Sequence, residues 1–307
     1  MPKKFVTKLV LNYGKKEAFK FKNDNTFVKI LETVREDDVF VFQTTLPPVD
    51  ERIMELLITI DALKRASAKR ITAVVPYYPY ARSDKKDQPR VPITAKLVAD
   101  LLVKAGANRV LTCDLHNPAI QGFIEVPSDQ LRAKDLLTNY FRPMVQKDPE
   151  KFTVVATDAG SSKNAYKYAR RLGTDLALID KQRTGNDDKA IASHVIGDVK
   201  NKTCVIFDDE MDTGGSMMEA VRVLKENGAG DIYAACTHGF LSADAVEKIQ
   251  DPSLKQLIIT NTIPLPEEKQ IDKIKVLDIA PLFGKAILKI HNGEAVGDLF
   301  EDHKAEL

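Results

Sequence analysis

The feature that most constrains this chain is the make-up of its candidate strands. VFVFQ (39–43), ITAVVP (71–76), RVLTCD (109–114), FTVVAT (152–157), DLALID (175–180), TCVIFD (203–208), IYAACT (232–237) and LIIT (257–260) are short apolar runs. Several are continuous rather than alternating with polar residues. A strand apolar on both faces has to be covered on both faces, which is the condition of a parallel sheet flanked by helices. Helical patterning fills the intervals, roughly over 50–66, 93–105, 130–143, 161–172, 215–227 and 278–291. Between Arg52 and Ala66, for instance, Ile53, Leu56, Leu57, Ile60 and Leu63 form one helical stripe. Strand, helix, strand in this order predicts right-handed βαβ units and an α/β fold.

The chain has 307 residues, of which 44% are hydrophobic, enough for two cores. A faint repeat points the same way. LKRASAKRITAVVP (63–76) lies over LKENGAGDIYAACT (224–237), with Leu63, Lys64, Ile71 and Ala73 on Leu224, Lys225, Ile232 and Ala234, 161 positions apart. No low-complexity linker separates the copies. The boundary is expected in or somewhat before the polar stretch PMVQKDPEKF (143–152), giving domains of 1–136 and 137–307 with the C-terminal tail packing back on the first.

Charge and composition exclude several functions. Lysine and arginine total 45 against 44 acids, a net charge of +1, with no basic block. A general polyanion binder needs such a surplus, so nucleic acid is not an expected partner. No apolar run approaches the roughly 20 residues that span a bilayer. The start, MPKKFVTKLVLNYGKK, lacks a small-residue cleavage site, so a cytoplasmic protein without a signal peptide is expected. Cys113, Cys204 and Cys236 are odd in number, far apart and embedded in apolar runs. They read as buried free thiols.

The segment with the clearest chemistry is TCVIFDDEMDTGGSMMEAV (203–221). A buried strand runs into Asp208, Asp209 and Asp212, then Thr213, Gly214, Gly215 and Ser216, then a helix. The glycines let backbone approach an anion, Ser216 is placed to cap the helix, and the helix N-terminus favours a phosphate. Three carboxylates have no use beside a bare phosphate. They have one beside sugar hydroxyls or a hydrated Mg²⁺. A phosphorylated sugar held with a metal fits both halves. No lysine follows the glycines, so this is not the Gly-Lys-Ser/Thr phosphate loop of nucleotide hydrolases.

This segment resembles the phosphoribosyl pyrophosphate loop of the type I phosphoribosyltransferases. The wider chain is similar to the ribose-phosphate pyrophosphokinases. The resemblance runs from about Phe21 to Phe300. It rests on MELLITIDALKRASAKRITAVVPYYPYAR (54–82), PITAKLVADLL (92–102), VLTCDLHNPAIQGF (110–123), TDAGSSKNA (157–165), DKQR (180–183), VIFDDEMDTGGS (205–216), NTIPLP (261–266) and IHNGEAVGDLF (290–300). It implies two similar phosphoribosyltransferase-like domains, each a mostly parallel sheet flanked by helices. The implied active site lies between them and is finished by a neighbouring subunit of a homo-oligomer, a dimer at least and by resemblance a hexamer. The implied reaction moves the pyrophosphoryl group of Mg-ATP to the 1-hydroxyl of ribose 5-phosphate. Two rival readings are a non-catalytic regulatory relative and a salvage phosphoribosyltransferase.

Carried over residue by residue, the resemblance gives Asp208, Asp209, Asp212, Thr213, Gly214, Gly215 and Ser216 to ribose 5-phosphate. His116 goes to the ATP and metal site, and Asp158 to the metal. Alone, a histidine in such a turn is more often a hydrogen-bonded structural residue. Lys181 and Arg183, followed by the polar TGNDDKA, become the cations of a closing catalytic loop. Arg82 and Ser83 stand where the family has an ATP-contacting Arg-Gln pair. Phe21, Asn23 and Asn25 stand where a phenylalanine, an acid and a glutamate reach a neighbour's adenine. In many members an N-terminal arginine, two tail serines and a polar residue two after the histidine hold a regulatory phosphate. Here these positions are Arg35, Ala295, Gly297 and Pro118, so a weakened regulatory site is expected.

Overall fold

The computed structural model describes residues 13–183 and 190–299, with side chains described outside 181–193. Two compact units share these residues. The first takes the chain up to Arg132 together with the segment from Ile279 onward, and the second spans Ala133–Asp278.

The first unit opens with an antiparallel hairpin of β1 (Lys16–Lys20) and β2 (Thr26–Ile30). Then follow β3 (Asp38–Phe42), α1 (Val49–Arg65), β4 (Arg70–Val75), α2 (Thr94–Ala105), β5 (Arg109–Cys113), a 3-10 helix (Pro118–Phe123) and β6 (Ser128–Leu131). Strands β3, β4, β5 and β6 lie side by side in that order, all parallel. The stripe expected on α1 is real: Ile53, Leu56, Ile60 and Leu63 are buried, packed in one core with Ile71, Val75 and Leu102. Each such side chain taken out of water contributes about 1.5–3 kcal/mol.

In the second unit the order is α3 (Lys134–Val145), β7 (Phe152–Ala156), α4 (Ser162–Leu172), β8 (Asp175–Arg183), β9 (Ala190–Ile196), β10 (Thr203–Met211), α5 (Gly215–Glu226), β11 (Ile232–Gly239), α6 (Ala245–Ile249), β12 (Gln256–Thr260) and β13 (Ile274–Leu277). The sheet runs β13-β12-β11-β10-β7-β8-β9, and only the β8–β9 pair is antiparallel. The polar stretch 143–152 lies inside this unit, closing α3 and leading into β7. Helix α7 (Ala280–Asn292) follows β13 and belongs to the first unit.

The faint repeat corresponds to equivalent structure. Strands β10 to β13 reproduce the order and direction of β3 to β6, and Leu63, Ile71 and Ala73 are buried like Leu224, Ile232 and Ala234. One expectation needs correction. The helix read from 130 begins at Lys134, because Ser128–Leu131 pairs in parallel with β5 as a strand of its own.

A charged knot fastens α7 to the sheet of the first unit. The Arg70 guanidinium donates to both oxygens of Asp38 and, at 3.0 Å, to the Ile290 carbonyl. His291 Nδ1 lies 2.8 Å from Asp38 Oδ2. Burial alone would raise the Asp38 carboxyl, but Arg70 and His291 outweigh it and hold it below the usual carboxylate range. Below the knot, buried Phe283 of α7 meets Phe42 edge-on at 6.0 Å. The three cysteines are buried and form no disulfide.

Candidate functional site

Strand order decides where a site can form in the second unit. After β7 the chain moves to β8 and β9 on one side, and then returns to β10 on the other. The boundary between β7 and β10 is therefore a topological switch point, where ligands bind in the crevice outside the carboxyl ends of the strands. The pair ends with Val155 opposite Ile206. The chain thus leaves β7 into Thr157–Ser161 beside the place where β10 delivers Asp208 and Asp209. Two separate motifs meet at one crevice.

The delivery is firmly seated. Phe207, buried, stacks on Tyr168 of α4 at 4.0 Å and meets Phe141 of α3 edge-on at 5.6 Å. Side chains alternate along a strand, so anchoring Phe207 sends Asp208 to the other face. Strand β10 continues through Asp208, Asp209 and Glu210 to Met211, three residues beyond the expected end. The chain then turns at Gly214, whose φ of +73° favours glycine. A Cβ there would also meet Met211 Cε at 2.7 Å. Lys248 Nζ donates to the Thr213 carbonyl at 3.2 Å and steadies the turn from α6.

Ser216 does not cap α5, contrary to the sequence expectation. The N-cap position is Gly214, no side chain caps the helix, and Ser216 is its second residue. The first helical hydrogen bond runs from Met218 N to Gly214 O. The amides of Gly215, Ser216 and Met217 precede it, and uncapped amides at a helix start are what an anion needs. Thr213, Gly215 and Ser216 are exposed.

Asp158 is exposed just beyond β7. Its Oδ1 accepts from Ser161 N at 2.8 Å, and Ser161 Oγ donates to the Asp158 carbonyl at 3.0 Å. That turn fixes the carboxylate at the start of α4 through one oxygen. Lys181 and Arg183 lie at the end of β8, where their backbone pairs with Ser193 and Ala190 across a bulge. The segment of the expected catalytic loop that carries both cations is strand up to Arg183, and its continuation over 184–189 falls outside the described residues. The strand reaches Arg183 because β9 gives it an antiparallel partner.

In the first unit, Arg82 and Ser83 lie after β4 and His116 after its neighbour β5, both at carboxyl ends of strands. Asp114 has a φ of +34° and turns the chain so that Leu115 is buried and His116 exposed. Asn117 Nδ2 donates to Asp84 Oδ2 at 2.6 Å and joins the two loops. Ser83 faces the start of α2: its Oγ accepts from Thr94 N at 3.3 Å and its carbonyl from Ala95 N at 3.1 Å. An open cleft of about 360 Å³ is lined by Arg82, Ser83, Lys85, Asp87, Val91 and Pro92. Phe21, Asn23 and Asn25 are exposed in the hairpin turn. Phe21 is 49% exposed, and its ring stands 5.1 Å from Phe19 and 5.6 Å from Phe27. Ion pairs of Lys16 with Glu55 and Lys20 with Glu51 hold this hairpin to α1.

His116 and Asp158, the two residues expected at a metal, belong to different units. Among the described residues no three His, Cys, Asp or Glu side chains gather into a metal cluster. Two features escaped the sequence reading, the Asn117–Asp84 bond and the Phe207 clamp. Asn-Pro at 117–118 is a turn signal that could have drawn attention to the first.

A family model for the N-terminal domain of ribose phosphate pyrophosphokinase matches residues 1–106. A second, for the phosphoribosyl synthetase-associated domain, matches residues 189–301. The chain is 48% identical over 292 residues to a ribose-phosphate pyrophosphokinase of Caldanaerobacter subterraneus, covering 95% of this chain and 92% of that one. The chain belongs to the ribose-phosphate pyrophosphokinase family. A member from Oceanobacillus iheyensis is 47% identical over 295 residues, covering 96% of this chain and 92% of its own. The crystal structure of the phosphoribosylpyrophosphate synthetase from Mycobacterium smegmatis superposes with a TM-score of 0.87 at 44% identity, covering 92% of each chain. The regulatory-relative and salvage-transferase readings are not favoured. No helix among the described residues is long and apolar enough to cross a membrane.

Electrostatics marks one residue of the β7–β10 crevice. Desolvation first, and the neighbouring Asp209 carboxyl second, push Asp208 well above the usual carboxylate range. Folding therefore favours its protonated form. The penalty sets in as the unfolded carboxyl ionises, near pH 3.9, and is complete above the folded-state value. Without ligand, Asp208→Asn should raise the melting temperature at pH 7.5, and the difference from the parent should vanish towards pH 4. A melting temperature at pH 7.5 equal to or below the parent's would discard this account of Asp208.

Proposed function

We propose that this chain transfers the pyrophosphoryl group of Mg-ATP to the 1-hydroxyl of ribose 5-phosphate, giving phosphoribosyl pyrophosphate and AMP, with the residues in the following roles. The observation that carries the reading is the β7–β10 switch point, where uncapped α5 amides and the Asp208–Asp209 pair converge. The 5-phosphate is held by the amides and hydroxyls of Thr213–Ser216. Asp208 and Asp209 accept hydrogen bonds from ribose hydroxyls, and Asp212 supports the turn between them and the phosphate. ATP is bound by Arg82, Ser83 and His116, with Phe21, Asn23 and Asn25 of a neighbouring copy against its base.

Mg²⁺ is the metal this donor set suits. A hard cation that keeps its waters needs only one or two carboxylates beside substrate phosphates, which matches Asp158, with His116 near the phosphates. When bound, the ion would neutralise charge on the phosphates. The chain itself supplies position and cations. Lys181 and Arg183 stabilise the charge that develops on the group in flight, and the rest orients two substrates for in-line attack. A cytoplasmic location fits these substrates.

The direct test is AMP release from ATP that depends on ribose 5-phosphate. In that assay Lys181→Ala and Arg183→Ala should lower kcat strongly and ATP affinity little, because cations acting on the transition state cost about 2.7–4 kcal/mol each when removed. Near-parent kcat in both variants would remove them from catalysis.

The working form is a homo-oligomer, a dimer at least and in full a hexamer. An exposed aromatic cluster on a hairpin supports this, since a ring half in water has surface to give to a neighbour. Phe21→Ala and Asp208→Ala chains should each be weak and should regain activity when co-assembled. A mixture no better than its parts would end the shared-site reading.

Regulation by phosphate should be slight. Ala295 and Gly297 lack the hydroxyls that would bind the anion, and each hydrogen bond to a charge is worth about 1.5–3 kcal/mol. Two losses amount to two or more orders of magnitude in affinity, at about 1.4 kcal/mol per tenfold. Initial rates should vary little with phosphate, and ADP should inhibit in competition with ATP. Steep phosphate activation, with ADP inhibition that saturating ATP leaves intact, would show a working regulatory site.

A further inference from the structure

The segment between β4 and α2, residues 76–93, is long for a connection inside a compact unit. Its order has to come from tethers. Several are spaced along the first half, among them Tyr78 OH, which donates to the Ala95 carbonyl at 2.9 Å. Thr45 Oγ1 donates to the Tyr77 carbonyl at 2.8 Å, and Tyr80 OH donates to Asp50 Oδ1 at 2.5 Å. Ser83 is tied to the start of α2, and Asp84 receives the Asn117 amide at 2.6 Å. Beyond Asp84, no side-chain hydrogen bond or ion pair among the described residues joins Lys85–Val91 to anything else. The Asn117–Asp84 bond is the last fixed point of the loop.

Its partner is equally well placed. Asn117 follows His116 and starts the 3-10 helix, where its Oδ1 accepts from Ala119 N at 3.0 Å. That bond orients the amide and directs Nδ2 at Asp84. Both side chains are half-buried, where a hydrogen bond to a charged group is stronger than at an open surface. Asp84 lies two residues after Arg82 and Asn117 one residue after His116. A single short bond therefore sets the spacing between the loop that presents Arg82 and the loop that presents His116.

We propose that Asp84 and Asn117 are a positioning pair, which holds the two nucleotide-binding loops of the first unit at the separation ATP requires. The inference rests on the assignment of Arg82 and His116 to ATP under Proposed function. Neither member of the pair touches the substrate. Each acts through the residue beside it, so loss of the pair lowers affinity for ATP while ribose 5-phosphate, held by the other unit, is little affected.

The test is steady-state kinetics on the full chain with both substrates varied, alongside melting temperatures. Asn117→Ala removes the donor, and Asn117→Asp sets a second carboxylate against Asp84. Each should raise KM for ATP about tenfold, with KM for ribose 5-phosphate within about twofold of the parent. The exchange variant Asp84→Asn/Asn117→Asp reverses donor and acceptor and keeps the Ala119 cap. It should bring KM for ATP back to within about twofold of the parent. A purely structural role would lower the melting temperature without separating the two KM values. That result, or an exchange variant no better than Asn117→Asp, overturns the pair. Arg82→Ala and His116→Ala serve as references. If they leave KM for ATP unchanged, the assignment of the nucleotide loops falls, and the pair with it. If they raise it while Asn117→Ala does not, the pair alone is overturned.

Discussion

The parallel pairing of β7 with β10 is the constraint on which the crevice of the second unit depends. Thr203 to Ile206 runs beside Phe152 to Val155, although paired residues are 51 positions apart in the chain. Everything between them, including the β8–β9 hairpin, is routed to the far side of β7. The reversal leaves an open crevice at the carboxyl ends, with one motif delivered from each strand. Neither motif is a site alone. Asp158 by itself is a turn residue bonded to Ser161 just before α4, and the glycine turn by itself is a strand-to-helix turn with open amides. The sheet order brings them to one crevice.

Keeping acids at that crevice has a cost, which the surrounding packing offsets. Asp208, Asp209 and Glu210 are consecutive on a strand whose neighbour carries Cys236 and His238, both buried. Like charges there repel, and burial with Asp209 alongside favours the protonated form of Asp208. The Phe207 clamp holds the strand in place against this. One fully seated aromatic side chain is worth a few kcal/mol. The same logic explains why the strand extends to Met211. Backbone pairing with β11 continues through Glu210 and Met211, so the acids are presented from a ladder rather than from a free loop.

The parts of this fold legible in the sequence are those written in a single dominant signal. Apolar runs marked all eight expected strands, and helical stripes marked six helices, because burial on both faces leaves little room for polar residues. The missed strands carry mixed signals. Ser128–Leu131 has three polar residues of four, Ile274–Leu277 is an edge with Lys275 and Val276 exposed, and Lys16–Lys20 is exposed throughout. Their pairing comes from the neighbouring strand rather than from an apolar pattern of their own. In the site, the strand, the acids and the glycine turn were legible because each has a local cause. The capping at Ser216 was not. A serine before a helix reads as a cap, yet Gly214 took that position with its positive φ. Nor does the sequence mark the bond between the Ser83 hydroxyl and Thr94. Hydrogen-bond partners of short polar side chains depend on geometry that composition does not encode.

A division of labour follows from which groups carry each task. In the proposed roles the phosphate is met at α5 by backbone amides, which requires glycine where φ is positive. The proposed nucleotide side is made of side chains on two long turns, joined by the Asn117–Asp84 bond. The tail near Val296 is similar, where Ala295 and Gly297 offer no hydroxyl at all. Tasks carried by backbone persist as a sequence drifts, and tasks carried by side chains are retuned one residue at a time. In this chain the departures from the family pattern, at Asn25, Ser83, Pro118, Ala295 and Gly297, all fall in the first unit, and none falls on the Asp208–Ser216 turn. Under the proposed roles the sugar-phosphate end rests on backbone geometry that the fold supplies, so variation in nucleotide handling and regulation leaves it undisturbed.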